Sequence, residues 1–211
     1  MTVNRKRERK PYESELRNAA ADETRTRIIA AARALLGEDK GAPTFSLDAI
    51  ARHAGVTRLT VYNQFESKRG LLEAVFDDMA REGGLFELPS LFVEPDIGKA
   101  LRGFVSVFCR FWSMRRKPMP RLMALAKLDD EFAASFRERT ERRRKALTVL
   151  VGRLPKVAAP TALIDLLFAA TSFEMFDALN IRGRSAQAVE ELVQQLVGDI
   201  VSRHSAFEWG D

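Results

Sequence analysis

Arg58, Leu59, Tyr62 and Asn63 fall at i, i+1, i+4 and i+5 of the stretch Ser46 to Lys68, SLDAIARHAGVTRLTVYNQFESK, so on any helix they share one face. Their chemistry suits the groove of a nucleic-acid duplex. Arg58 carries a fork of donors that fits guanine O6 and N7, Asn63 and Gln64 carry amides able to read a base edge, and Leu59 can meet a thymine methyl. Gln64 lies on the flank of that face. Thr60 and Tyr62 bring hydroxyls, and Lys68 an ammonium, suited to phosphate oxygens, which position a protein without specifying sequence. Ser46 and Thr57 complete this clamp, since each stands where a helix would start and present free backbone N–H groups.

The elements that must hold these residues follow from the same stretch. Ser46 can cap a short helix whose stripe is Leu47, Ile50, Ala51 and Ala54. Gly55 suits the left-handed conformation that ends a helix, Val56 can plug the corner, and Thr57 can cap a second helix at once. In that second helix Val61 and Phe65, four apart, face inward. A preceding helix from Thr24 to Leu36, with Ile28, Ile29, Ala32, Leu35 and Leu36 as its stripe, is needed to enclose a core with the pair. Two short helices, a glycine turn and a polar outer face describe a helix-turn-helix. An ordinary helical hairpin shares most of this pattern.

The order of residues goes further. Ile50-Ala51, Ala54-Gly55-Val56, Thr60-Val61-Tyr62, Phe65, Ser67-Lys68 and Leu71-Leu72 together resemble the DNA-binding domain of the TetR family of bacterial transcriptional regulators. The resemblance spans Thr24 to Phe76 at residue level and the remainder only as a helical pattern. It implies that Thr60, Tyr62 and Lys68 contact the DNA backbone. It departs at Asn63-Gln64, where many members carry histidine or an aromatic, which leaves the base-level code open. It also implies that the helix after Lys68 joins the DNA-binding part to an effector part. The last two helices would form a four-helix contact between subunits, and the typical member is a repressor released by a small molecule.

Composition sets the outer bounds. The chain has 211 residues, 46% of them apolar, and a net charge of +5. A pI near 9.6 favours polyanionic partners. The single cysteine, Cys109, excludes an intramolecular disulfide and fits a reducing compartment; a buried, inert thiol is expected, with a redox switch as the alternative. No apolar run is long enough to span a membrane, and the charged N-terminus lacks the apolar segment of a secretory signal, so a cytoplasmic location is expected. Histidine occurs only at His53 and His204, and no metal-ligand cluster, nucleophile elbow or glycine-rich phosphate loop is present. Neither catalysis, a cofactor nor a metal is expected.

The organisation expected from these signals is all-α, with about nine helices. Residues 1–22, with Arg5, Lys6, Arg7, Arg9 and Lys10, read as a flexible basic arm. Residues 23–83 form the helix-turn-helix domain with its linking helix, and residues 84–211 a helical ligand-binding and dimerisation domain. Residues 84–95 read as a loop, 137–145 as a charged, solvated helix face, and 161–179 as one helix apolar nearly all round. The final helix, with Val189, Leu192, Val193, Leu196, Val197, Ile200 and Val201, is cleanly striped, and beside so apolar a neighbour it suggests a homodimer interface. Phe104, Phe108, Phe111, Trp112, Met123, Phe132, Phe136, Phe168, Phe173 and Phe176 are candidates to line an effector pocket, pointing to an apolar or aromatic ligand. Glu174 and Asp177 either meet a cationic ligand or pair with an arginine across the dimer. The partners expected are an inverted-repeat duplex, a second copy and a small molecule. A DNA-binding dimer without an effector, and an activator, are the alternatives.

Overall fold

The computed structural model describes residues 10–37, 45–181 and 183–209. Among them every regular element is helical: eleven α-helices and one short 3₁₀ turn, with no strand. The chain divides into two compact units, Met1–Val75 and Phe76–Asp211.

The first unit holds α1 (Lys10–Gly37), α2 (Leu47–Ala54), α3 (Arg58–Phe65) and the opening of α4 (Lys68–Glu82). α1 packs across α2, and α2 against α3. Ile28, Ala32, Leu35 and Leu36 from α1 meet a core completed by Ile50, Val61, Phe65, Leu71, Leu72 and Val75, all buried. The expected flexible arm is corrected here: from Lys10 onward its residues are helical and continue into α1 without a break. Glu13, Glu15, Leu16, Arg17 and the run Ala19-Ala20-Ala21 are good helix formers, and Pro11 falls in the first turn, where its missing N–H costs nothing. Residues 1–9, with most of the basic charge, lie outside the described residues.

The second unit is built on α6 (Ile97–Arg115), which packs against α5 (Leu88–Val93), α8 (Asp130–Val151), α10 (Phe173–Leu179) and α11 (Ala186–His204). α7 (Met119–Ala126) packs on α8, and α9 (Pro160–Ala170) on both α8 and α11. Three expectations change. The division between units falls inside α4 rather than at residues 83–84, because Phe76 and Met79 are buried within the second unit's core. The expected loop 84–95 is largely helical, since Pro89 occupies the first turn of α5, and Arg153 donates to the orphan carbonyls of Leu91, Phe92, Glu94 and Pro95 at its end. The expected helix 161–179 is two, α9 and α10: Ser172 caps the second, its Oγ accepting from Met175 N at 3.1 Å. These account for the excess over nine helices. The tail is ordered too: Trp209 lies over Gly198 so closely that a Cβ there would come within 2.6 Å of its ring.

Candidate functional site

The helix-turn-helix is built from local capping. Ser46 Oγ accepts from Ala49 N at 3.2 Å and starts α2. Gly55, at φ 66°, turns the chain out of α2. Thr57 Oγ1 then accepts from Thr60 N at 3.1 Å and stands 2.8 Å from Thr60 Oγ1, which starts α3. Val61 and Phe65 anchor α3 inward. Arg58, Leu59, Tyr62 and Asn63 are exposed on the opposite face. Leu59 is 66% and Tyr62 56% exposed, an unfavourable placement for two large side chains unless a partner covers them.

The remaining candidates of this face are placed as follows. Thr57 is exposed; Ser46, Thr60, Gln64 and Lys68 are half-buried. Gln64 is held at its carbonyl, which accepts from Arg25 Nη1 at 2.9 Å, while the same guanidinium lies 4.4 Å from the centre of the Phe65 ring. Lys68 Nζ stands 5.7 Å from the centre of the Phe45 ring. Arg58 Nη1 is paired with Asp48 Oδ2 at 3.2 Å. Sequence reasoning passed over Gly70. Ser67 Oγ accepts from its N–H at 2.9 Å, and a Cβ there would come within 2.3 Å of the Phe65 carbonyl oxygen, so the first turn of α4 can sit against the end of α3 only with glycine.

The second unit holds a partly open cavity of about 340 Å³. Of the aromatic and Met candidates, Phe108, Phe111, Trp112, Met123, Phe136 and Phe173 line it. Phe104, Phe132 and Phe176 do not: each is fully buried in the core. Nor does Phe168, whose ring lies 4.1 Å from both the Arg143 and the Arg144 guanidinium carbons. Phe76, Ala80, Leu85, Leu88 and Met119 complete the apolar wall.

The polar part of the lining is Asp77, Arg139, Thr140, Arg142, Arg143 and Glu174. The reading of residues 137–145 as a solvated face holds for Arg137, Glu138, Glu141, Arg142 and Lys145, which are exposed, and fails at Arg143, which is buried. Arg139 is paired with Asp77, and Arg142 with Glu138 at 3.0 Å. Arg143 is only 7% exposed. Among the described residues its one side-chain hydrogen bond is a long one, 3.3 Å from Nη1 to Thr171 Oγ1, and no carboxylate forms an ion pair with it. Burial lowers its pKa to about 10, opposed by the nearby Glu174 carboxylate, so it stays cationic at neutral pH. Asp177 accepts from Arg116 Nε at 2.7 Å within the same chain. Cys109 is buried, and that burial with the Glu190 charge pushes its thiol up to about 12. Among the described residues no group of His, Cys, Asp and Glu side chains is placed to hold a metal ion.

A capped helix-turn-helix followed by a separate helical unit with a partly open cavity is the arrangement the described residues define. Residues 28–75 match the family described as bacterial regulatory proteins, tetR family. Over these residues the chain carries a domain of the TetR family of bacterial regulatory proteins. It is 43% identical over 76 residues to the uncharacterized HTH-type transcriptional regulator TtgW of Pseudomonas putida. That match takes in 36% of this chain and 56% of TtgW, so the chain spans little more than half the length of that relative. Among solved structures, a transcriptional regulator of the TetR/AcrR family from Thermobifida fusca is 25% identical, with a TM-score of 0.61 over 83% of this chain and 96% of that one. A transcriptional regulator from Rhodococcus sp. Rha1, 18% identical, shares the fold at a TM-score of 0.66 over 85% of this chain and 97% of its own.

Proposed function

We propose that the protein is a cytoplasmic repressor that binds an inverted-repeat operator as a homodimer and leaves it when a small apolar or aromatic effector fills the cavity. The observation that carries this is the outer face of α3, where Arg58, Leu59, Tyr62 and Asn63 stand exposed on a helix fixed by caps at its start and a packed core beneath. Arg58, Leu59 and Asn63, with Gln64 at the flank, read bases in the major groove; Ser46, Thr57, Thr60, Tyr62 and Lys68 hold phosphates. A two-fold dimer presents two such helices, which requires two half-sites of opposite sense. Support for the dimer comes from α9, where Ala162, Leu166 and Ala169 remain exposed or half-exposed on the most apolar helix, and from the half-buried Leu192 and Leu196 of the adjoining α11. Among the described residues no helix is long and apolar enough to cross a membrane. Release is routed through α4, whose second half supplies Phe76, Asp77 and Ala80 to the cavity and whose first residue is Lys68. A ligand shifts DNA affinity only by its differential affinity for the two states.

Selection of duplexes from a random library at near-physiological salt tests the reading. Enrichment of an inverted repeat is expected. Arg58→Ala should relax preference at one base pair per half-site, whereas Lys68→Ala should weaken all duplexes alike and flatten the salt dependence. Salt-sensitive binding without sequence preference would count against the whole assignment.

A further inference from the structure

We infer that the effector is an aromatic carboxylate, its ring among the aromatic side chains of the cavity and its carboxylate paired with Arg143. This rests on the effector reading and narrows it to a ligand class.

The inference starts from an imbalance of charge. The cavity presents three arginines, and two already have carboxylate partners: Arg139 has Asp77 and Arg142 has Glu138. Arg143, the most buried of them, has only the Thr171 hydroxyl, which itself donates to the Leu167 carbonyl at 2.8 Å and so offers a neutral oxygen. A guanidinium carries several donors in a planar fork, and one long bond to a hydroxyl satisfies few of them. Glu174 lies near enough to act on the Arg143 charge but forms no hydrogen bond or ion pair with it, so most of the fork's donors stay unfilled, and stacking on Phe168 recovers only part of the cost of burial. A carboxylate is planar and accepts two parallel hydrogen bonds from such a fork, so it is the anion that best completes the site.

The rest of the lining fixes the other end of the ligand. Phe108 and Trp112 lie against Arg143, with ring centres 5.7 and 6.0 Å from the guanidinium carbon, and Phe173 lies edge-on to Trp112 at 5.7 Å. A ring attached to the carboxylate would fall among these faces. The charge should be single, because Glu174 lines the same cavity near Arg143 and would repel a second negative group.

The test uses the full-length protein with N-phenyl-1-naphthylamine, a neutral fluorescent probe, in the cavity. Matched one- and two-ring pairs, such as benzoate with benzamide and 2-naphthoate with 2-naphthamide, compete for it at about pH 7.5, where the carboxylates are ionised. At least one carboxylate should displace the probe at about tenfold lower concentration than its amide. Arg143→Met should erase that difference while leaving the amide's competition within about twofold, and Arg137→Met, an exposed position of α8 outside the cavity, should preserve it. Amides equal to carboxylates in every pair, or a carboxylate preference that survives Arg143→Met, would overturn the inference while leaving the cavity a ligand site. If the protein takes up neither the probe nor any member of the pairs, the effector reading fails and this inference with it. The wild-type comparison is decisive even if Arg143→Met does not fold.

Discussion

Arg58 and Asp48 pair at 3.2 Å across the turn of the helix-turn-helix, Nη1 to Oδ2, with both side chains more than half exposed. The pair holds the proposed guanine reader on α2 and places a carboxylate beside the proposed phosphate clamp. An exposed pair of this kind is worth about 0.2–1 kcal/mol, which is also the cost of releasing Arg58 to DNA. Asp48→Asn should therefore tighten binding to the selected operator by about two- to fivefold in fluorescence anisotropy at fixed salt. In an Arg58→Ala background the gain should shrink. A gain of equal size there would mean that Asp48 acts through phosphate repulsion alone.

Gly70 predicts a separable defect in the same unit. Its absent Cβ leaves room for the Phe65 carbonyl, and a methyl group 2.3 Å from that oxygen would force α3 and the start of α4 apart. Gly70→Ala should destabilise the first unit by about 1–3 kcal/mol, read as an earlier urea transition, with weaker DNA binding but unchanged probe uptake in the cavity. An unchanged transition would mean that the two helices shift at little cost.

The first unit was legible because its signals are local. Ser46, Gly55 and Thr57 act on backbone groups within a few residues of themselves, so type and spacing sufficed to place them as caps and turn. Gly70 was not legible, since its constraint comes from a carbonyl in a different helix. The cavity was legible in composition only. Phe104, Phe132 and Phe176 have the same chemistry as Phe108, Phe111 and Phe173, and only packing decides which ring meets a void. Arg143 did leave a trace: it continues the stripe Phe132, Phe136, Arg139, Arg143, Leu147 and Leu150, so a charged residue stood on the buried face of α8. Weighing the run 137–145 by charge alone concealed it. The break between α9 and α10 was hidden by hydrophobicity, although Thr171-Ser172 carried a capping signal.

Glu66 ends α3 at φ 62° and ψ −33°, a conformation that disfavours a residue with a Cβ. Its N–H donates to the Tyr62 carbonyl at 2.7 Å, which fixes the chain in that geometry, while its side chain is exposed. Glu66→Gly should relieve more strain than it adds in unfolded-state entropy, raising stability by about 1 kcal/mol in urea denaturation. It also removes a negative charge two residues from Lys68, so operator binding at low salt should strengthen. A lower urea midpoint would show that the carboxylate contributes more than the strain costs.

Cys109 gives the pH prediction. Burial, with the Glu190 charge, raises its thiol from an ordinary 9.0 to about 12, so the folded protein holds this proton after the unfolded chain has lost it. Its contribution is fully present below pH 9 and is lost as pH rises toward 12. Arg143 works the other way at the upper end of that window, because its lowered pKa lets the folded state shed a proton above about 10. Comparison with Cys109→Ala isolates the thiol: the variant should lose stability less steeply than the parent between pH 9 and 10, though it starts lower at neutral pH from the small cavity left behind. Native protein at about pH 8 should also resist iodoacetamide, with alkylation appearing only on addition of urea, as followed by mass spectrometry. Rapid modification of the native chain would place the thiol within reach of solvent and remove the basis for the alkaline slope.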